Sequence, residues 1–295
     1  MVEIVVLSGK GGTGKTSLTA AFAQLAQPAV ICDLDVDAPD LHLLLRPETL
    51  RKEMFQSGHE ASILADRCTD CGICAEMCRY GAVVRSDAGL PTIDPLHCEG
   101  CKVCVTFCPA DAVDWQPRTC GEWFHSRTRF GRMVHAQLYP AQENSGRLVA
   151  LLRQQARELA QQNQIPLILS DGPPGIGCPV ISSLSGASFA VIVTEPTPSG
   201  RHDLARIVEL CAHFKVPAGV VINKHDLSEA RAEEIAADCA ARGLVLLGRL
   251  PYDAAVTEAM VAQKTITEYR NGALADRVKE IWEAVTEQIR PMRAA

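Results

Sequence analysis

Outside residues 61–116, two kinds of hydrophobic pattern alternate along the chain. Dense apolar runs at 4–7, 29–32, 134–138, 167–170, 189–194, 219–222 and 245–250 read as buried strands. Between them, the stretches 15–25, 147–161, 204–214, 230–241 and 274–289 repeat their apolar residues at helical spacing. This alternation predicts an α/β fold, a mostly parallel sheet with helices on both faces. In the last stretch, Leu274, Val278, Ile281, Trp282, Val285 and Ile289 form a stripe flanked by Asp276, Glu280, Glu283 and Glu287. A helix seeking anionic lipid would carry a basic polar face, so the stripe is assigned to the core.

Across 61–116 the rhythm gives way to cysteine, glycine and proline. Residues 68–84 resemble 98–113 in cysteine spacing and in the apolar tail that follows, an internal repeat. Because the strand-helix pattern resumes afterwards, the block is expected to be an inserted domain over 61–116, with the main domain formed by 1–60 and 117–295.

Composition narrows the function. A chain of 295 residues with 47% hydrophobic and 22% charged positions suits one large α/β domain plus a small accessory unit. The net charge of -6 argues against nucleic acid as partner, because phosphate binding requires clustered Lys and Arg. No apolar run approaches the roughly 18 to 20 residues that span a bilayer. Residues 2–7 are too short for a signal-peptide core. A cytoplasmic location without a stable membrane anchor is expected.

Gly9-Lys10-Gly11-Gly12-Thr13-Gly14-Lys15-Thr16 fits the phosphate-binding loop G-x-x-x-x-G-K-[ST], between a strand and a helix, where its chemistry works. Backbone NH groups of Gly11, Gly12, Thr13 and Gly14, with the start of the helix at Lys15, Thr16 and Ser17, would wrap phosphates. Lys15 adds a charge and Thr16 a hydroxyl ligand for Mg²⁺. Two apolar runs end in acids: Asp33 and Asp35 after the second strand, and Asp171 before Gly172-Pro173-Pro174-Gly175. Asp37 and Asp40 read as solvated or capping residues. Asn223-Lys224-His225-Asp226 also matches the Asn-Lys-x-Asp pattern of guanine readers, so the loop alone does not choose the base.

Of thirteen cysteines, eight form two runs. Cys68-x2-Cys71-x2-Cys74-x3-Cys78 and Cys98-x2-Cys101-x2-Cys104-x3-Cys108-Pro109 are copies of the bacterial ferredoxin run, in which the fourth cysteine ligates the other cluster. One [4Fe-4S] cluster is therefore expected on Cys68, Cys71, Cys74 and Cys108, and a second on Cys98, Cys101, Cys104 and Cys78. Arg79 replaces the usual proline after Cys78. Structural zinc favours paired C-x2-C elements, and disulfides need an oxidising compartment. Of the other five cysteines, Cys32, Cys211 and Cys239 read as small buried side chains, while Cys120 and Cys178 receive no role.

The loop with its additional Lys10 resembles the deviant Walker A of the MinD, ParA, Mrp and nitrogenase iron-protein superfamily, and with the cysteine runs the chain is similar to members that contain an inserted ferredoxin domain. Stretches 143–147, 175–180 and 194–200 support the resemblance. It implies an α/β P-loop NTPase with a small α+β insert, ATP as nucleotide, and an ATP-dependent homodimer or a heterodimer with a related ATPase. In it Lys10 reaches the nucleotide of the facing subunit, Asp35 orients the attacking water, Asp171 holds the Mg²⁺ shell and Asn223 touches the purine. Pro251-Tyr252-Asp253 closes over the base.

Three functions compete: ATP-gated electron transfer to a redox partner, assembly or delivery of a cluster or metallocofactor, and a positioning switch like MinD. Paired clusters with crossed ligands favour electron transfer, since an assembly carrier needs a labile cluster and a positioning switch needs a membrane-seeking tail.

Overall fold

The structure, a computed structural model, describes residues 1–140, 142 and 145–294. Glu143 and Asn144 of the stretch 143–147 lie outside the described residues. The chain begins β1 (Val2–Ser8), α1 (Lys15–Leu25), β2 (Ala29–Asp33), α2 (Leu41–Leu45) and β3 (Glu48–Ile63). The cysteine-rich stretch holds α3 (Ile73–Met77), β4 (Val83–Arg85), β5 (Pro91–Ile93) and α4 (Val103–Thr106). Then follow β6 (Val113–Thr128), β7 (Gly131–Leu138), α5 (Ser145–Gln162), β8 (Leu167–Pro174), α6 (Cys178–Leu184), β9 (Phe189–Thr194) and α7 (Pro198–His213). The last part is β10 (Ala218–Asn223), α8 (Glu229–Ala241), β11 (Val245–Leu250), α9 (Ala255–Val261), α10 (Ile266–Tyr269) and α11 (Ala273–Ala294).

Two compact units divide the chain: unit 1 is Met1–Glu53, Glu122–Leu138 and Asn144–Ala295, and unit 2 is Met54–Gly121 with Tyr139–Glu143. The nine-stranded sheet has the order β11-β10-β9-β1-β8-β2-β7-β6-β3. From β11 to β7 every neighbouring pair is parallel. Arg129 and Phe130 alone join β6 to β7, a link that only a hairpin accommodates.

Successive residues of β1 point to opposite faces and into two cores. Ile4 and Val6 join Phe22 of α1, Phe189 of β9 and the stripe of α11, where Leu274, Val278, Ile281, Trp282, Val285 and Ile289 are all buried. Val5 and Leu7 pack on the other side with Leu204 and Ile207 of α7 and Ile235 of α8. Phe22 meets Trp282 with ring centroids 5.0 Å apart. Cys32, Cys211 and Cys239 are buried, as small apolar side chains would be. No helix among the described residues is long and apolar enough to cross a membrane.

The sequence pattern overlooks β3 and β6, each 16 residues long. In β3 only Phe55, Ser57 and Ala61 are buried and the rest is largely polar, so no apolar alternation marks it. Pro117 and Gly121 interrupt β6 in the way that loops do. Within unit 2, β4 and β5 form a small antiparallel pair. Its core is Ala61, Ala82, Cys98 and Val113, with Ile63, Ile93, Val105 and Trp115 partly buried around them.

Candidate functional site

The parallel strands bring their carboxyl ends together, which is where open α/β sheets bind ligands. Register fixes the arrangement: Asp171 of β8 lies opposite Val6 of β1 and Asp33 of β2, and Ile222 of β10 opposite Thr194 of β9. Asp35, the glycine loop, Asn223 and Lys224 follow from the same ends.

The loop between β1 and α1 is held from behind. Ser8 Oγ donates to the Lys10 carbonyl at 2.9 Å, Lys224 Nζ to that of Gly12 at 3.1 Å, and Asn223 Nδ2 to that of Thr13 at 2.7 Å. With the carbonyls engaged this way, the loop NH groups remain for an anion. Gly14 enters α1 at φ 88°, and a Cβ there would stand 2.4 Å from Asn223 Nδ2, so the position requires glycine.

Around the loop, Lys15 Nζ lies 3.0 Å from Asp171 Oδ1 and 3.5 Å from Asp35 Oδ2. Thr16 Oγ1 donates to Asp171 Oδ2 at 2.7 Å and Thr19 Oγ1 to Oδ1 at 2.9 Å. Burial disfavours the Lys15 ammonium, but the Asp171, Asp35 and Asp33 carboxylates outweigh it and raise its pKa. Burial likewise raises Asp35, although Lys15 pulls the other way. Asp33 is pushed well up by burial and by Asp171. Its Oδ1 accepts from the Asp35 backbone NH at 3.2 Å and its Oδ2 has no partner.

Lys10, the other lysine of the loop, is bound 3.0 Å from Glu195 Oε2. The second oxygen of Glu195 takes Lys224 Nζ at 2.6 Å. Burial would raise the Glu195 pKa, yet its bonds to Lys224 and Lys10 prevail and lower it. Sequence reasoning gave Glu195 and Lys224 no individual role. Their long side chains meet the loop only once the sheet is assembled, and no local spacing announces that.

A cleft of about 370 Å³ opens beside these groups. Gly11, Gly12, Thr13, Gly14, Lys15, Thr16, Ser17, Asp35 and Asn223 border it, as do Asp40, Pro251, Tyr252 and Asp253. Asn223 is engaged by protein through both amide atoms, its Oδ1 accepting from the Lys224 NH at 3.0 Å. Asp226, the residue that would read guanine, accepts from the Tyr252 NH at 2.7 Å.

In unit 2 the cysteines gather as two quartets. One cavity is bordered by Cys68, Cys71, Cys74 and Cys108, the other by Cys78, Cys98, Cys101 and Cys104. Backbone NH groups of Asp70 and Ala112 point at the sulfurs of Cys68 and Cys108, at 3.4 and 3.3 Å. The sequence repeat is also a backbone repeat. Asp70 and Gly72 have φ of 52° and 77°, and Gly100 and Lys102 have 61° and 68°. Trp115 stacks on His59 at 3.5 Å and donates Nε1 to the Gly100 carbonyl at 3.1 Å, bracing the second loop. Among the described residues, no group of three or more His, Cys, Asp or Glu side chains converges as a metal-ion site.

Residues 4–266 match the family described as the CobQ/CobB/MinD/ParA nucleotide binding domain. An uncharacterised protein of Methanocaldococcus jannaschii is 28% identical over 98% of this chain and 98% of its own length. A Drosophila yakuba protein described as a cytosolic Fe-S cluster assembly factor Nubp1 homolog is 28% identical, covering 91% of this chain and 76% of its own. Among solved structures, the septum site-determining protein MinD of Pyrococcus horikoshii, complexed with Mg-ADP, aligns with a TM-score of 0.60 at 16% identity. That alignment covers 99% of this chain and 98% of MinD, a likeness of fold.

Proposed function

Since the chain belongs to the CobQ/CobB/MinD/ParA nucleotide-binding family, we propose that it binds and hydrolyses ATP and couples its nucleotide state to electron transfer through two [4Fe-4S] clusters towards a protein partner. The loop NH groups and Lys15 hold the phosphates, and Thr16 and Asp171 supply the Mg²⁺ site. Asp35, on the edge of the cleft, orients the attacking water. Lys10 serves the triphosphate in an ATP-dependent dimer. ATP is favoured over GTP because a carboxylate that reads guanine uses both oxygens, and one oxygen of Asp226 already accepts from the Tyr252 NH.

The observation that carries the reading is the composition of the two cysteine cavities. Each combines three cysteines of one run with the fourth of the other, the ligand sharing of two-cluster ferredoxins. A cubane is larger than a single ion, so four thiolates ringed about a cavity suit it better than a point of convergence. NH groups aimed at Cys68 and Cys108 fit sulfurs that carry negative charge. When bound, such clusters supply one-electron transfer. The eight cysteines hold them and Trp115 keeps the second ligand loop in shape.

Anaerobic purification tests this directly, with eight irons per chain and charge-transfer absorption as the expected result. Two zinc ions per chain without that absorption would sink it. A second reading, assembly or delivery of clusters, is favoured by the similarity to the Nubp1 homolog. The two separate in one assay: ATP-stimulated transfer of labelled iron to a cluster-free acceptor supports delivery, whereas retained iron with ATP-dependent oxidation of the clusters by a partner supports electron transfer.

A further inference from the structure

We propose that Glu195 is a positioning residue that withholds Lys10 from the nucleotide of a facing subunit until a triphosphate competes for its ammonium, an inference that rests on the reading of this cleft as the ATP site of a dimer. Three observations carry it. Lys10 belongs to the phosphate loop, yet its ammonium is 3.0 Å from Glu195 Oε2 and the residue does not border the cleft. Glu195 is nearly buried, with 9% of its side chain exposed against 37% for Lys10, so the acid is the fixed partner and the lysine the movable one. Its other oxygen is occupied by Lys224 at 2.6 Å, and Lys224 also grips the Gly12 carbonyl.

The three groups sum to one positive charge beside the loop, which attracts an anion, while the carboxylate withholds the lysine that would meet a triphosphate across the dimer. A triphosphate must offer Lys10 more than Glu195 does, and a diphosphate offers less charge at the loop's mouth. Lys224 remains on Glu195 after Lys10 departs, so the carboxylate is not left buried and unpaired. Glu195 thereby sets the ATP concentration at which Lys10 changes partner, without touching the nucleotide.

The test is Glu195→Gln in the full chain, reading Mg²⁺-dependent binding of a fluorescent ATP analogue alongside turnover. Half-saturation is expected at about tenfold lower nucleotide, with kcat changed much less, because only the unbound state has lost a competitor for Lys10. The shift should vanish when Glu195→Gln is placed in a Lys10→Gln background. Unchanged or weakened binding in Glu195→Gln, or a shift that survives Lys10→Gln, would overturn the proposal and leave Glu195 as a brace for Lys224. If Glu195→Gln does not fold, Glu195→Asp replaces it. Its shorter carboxylate cannot span both lysines, so a smaller shift in the same direction is expected and no shift counts against the idea. Wild-type chain that fails to bind the analogue would remove the ATP reading itself, whereas normal wild-type binding with unshifted variants removes only the role of Glu195.

Discussion

In unit 1, the charged side chains of the cleft bond one another and the loop: Lys15 to Asp171, Thr16 and Thr19 to the same carboxylate, Asn223 and Lys224 to loop carbonyls. Behind them stand two cores on the two faces of the sheet. Unit 2 has little of this. Its core is Ala61, Ala82, Cys98 and Val113, one of the four itself an expected ligand, and its helices α3 and α4 bury no residue. A fold that buries so little apolar surface needs a staple, and metal-bound thiolates are one. The nucleotide site is thus shaped by its protein scaffold, whereas the cysteine site would be shaped by what it binds.

The harshest way to break this contrast is to strip the iron. Chelation should remove nearly all amide-exchange protection from residues 61–113 while β1, β8 and β9 keep theirs. Equal protection in both units after iron loss would mean that unit 2 has a sufficient core of its own. Cys71→Ala is a milder version, expected to lose one cluster first and to weaken the other only indirectly.

Next come the cleft residues. Lys15→Ala should abolish ATP binding or turnover, and Asp35→Ala should keep binding but lose turnover by about a hundredfold or more, as removal of a water-orienting group does. Normal hydrolysis by Asp35→Ala would remove its assignment. Because burial raises the Asp35 pKa, the acid limb of wild-type turnover should lie above the ordinary carboxylate range of about 3.9. GTP outcompeting ATP would overturn the role given to Asp226.

A smaller effect sharpens the claim that unit 1 stands on its own packing. His135, bonded through Nε2 to Ser126 Oγ at 2.9 Å, is lowered by burial from 6.5 to about 4. Between those values the unfolded chain holds a proton that the folded chain does not, so stability is full above pH 6.5 and falls as pH drops towards 4. Over the whole shift the loss is at most about 3.5 kcal/mol. Urea midpoints at pH 5 and 7 should differ more for wild type than for His135→Gln, and parallel pH profiles would exclude His135 as the cause.

The smallest expected effect joins the two sites. ATP in place of ADP should shift the potential of at least one cluster by about 60 mV, roughly 1.4 kcal/mol for one electron. Reduction should then change ATP affinity by the corresponding factor of about ten. Identical redox titrations in both nucleotide states would make unit 2 a passenger.

What could be read in advance follows from range along the chain. The glycine loop, the acids at strand ends and the cysteine runs are local, so spacing exposed them, and β1, β8 and β9 announced themselves as apolar runs. The loop's supports were hidden: Asn223 meets Thr13 across 210 residues of sequence, and Lys224 meets Gly12 across 212. Asn223, expected at the purine, borders the cleft and also bonds the loop. Arg153 and Glu3 form a buried pair 150 residues apart that no motif marks. Strands β3 and β6 escaped because an edge ribbon with polar faces lacks the apolar signature of the sheet centre.

That ribbon also bears on how such a chain can be assembled over evolutionary time or on the bench. The chain first leaves unit 1 along β3 and returns along β6, which are neighbours at the last positions of the sheet, and only the short piece Tyr139–Glu143 belongs to unit 2 again. A module spliced in at that hem leaves every strand from β11 to β7 with its own partners, so it can be acquired, exchanged or shed as a cassette without reweaving the nucleotide-binding fabric. Joining Glu53 to Glu122 by a short turn is the corresponding excision, and its product would be a minimal nucleotide-binding chassis.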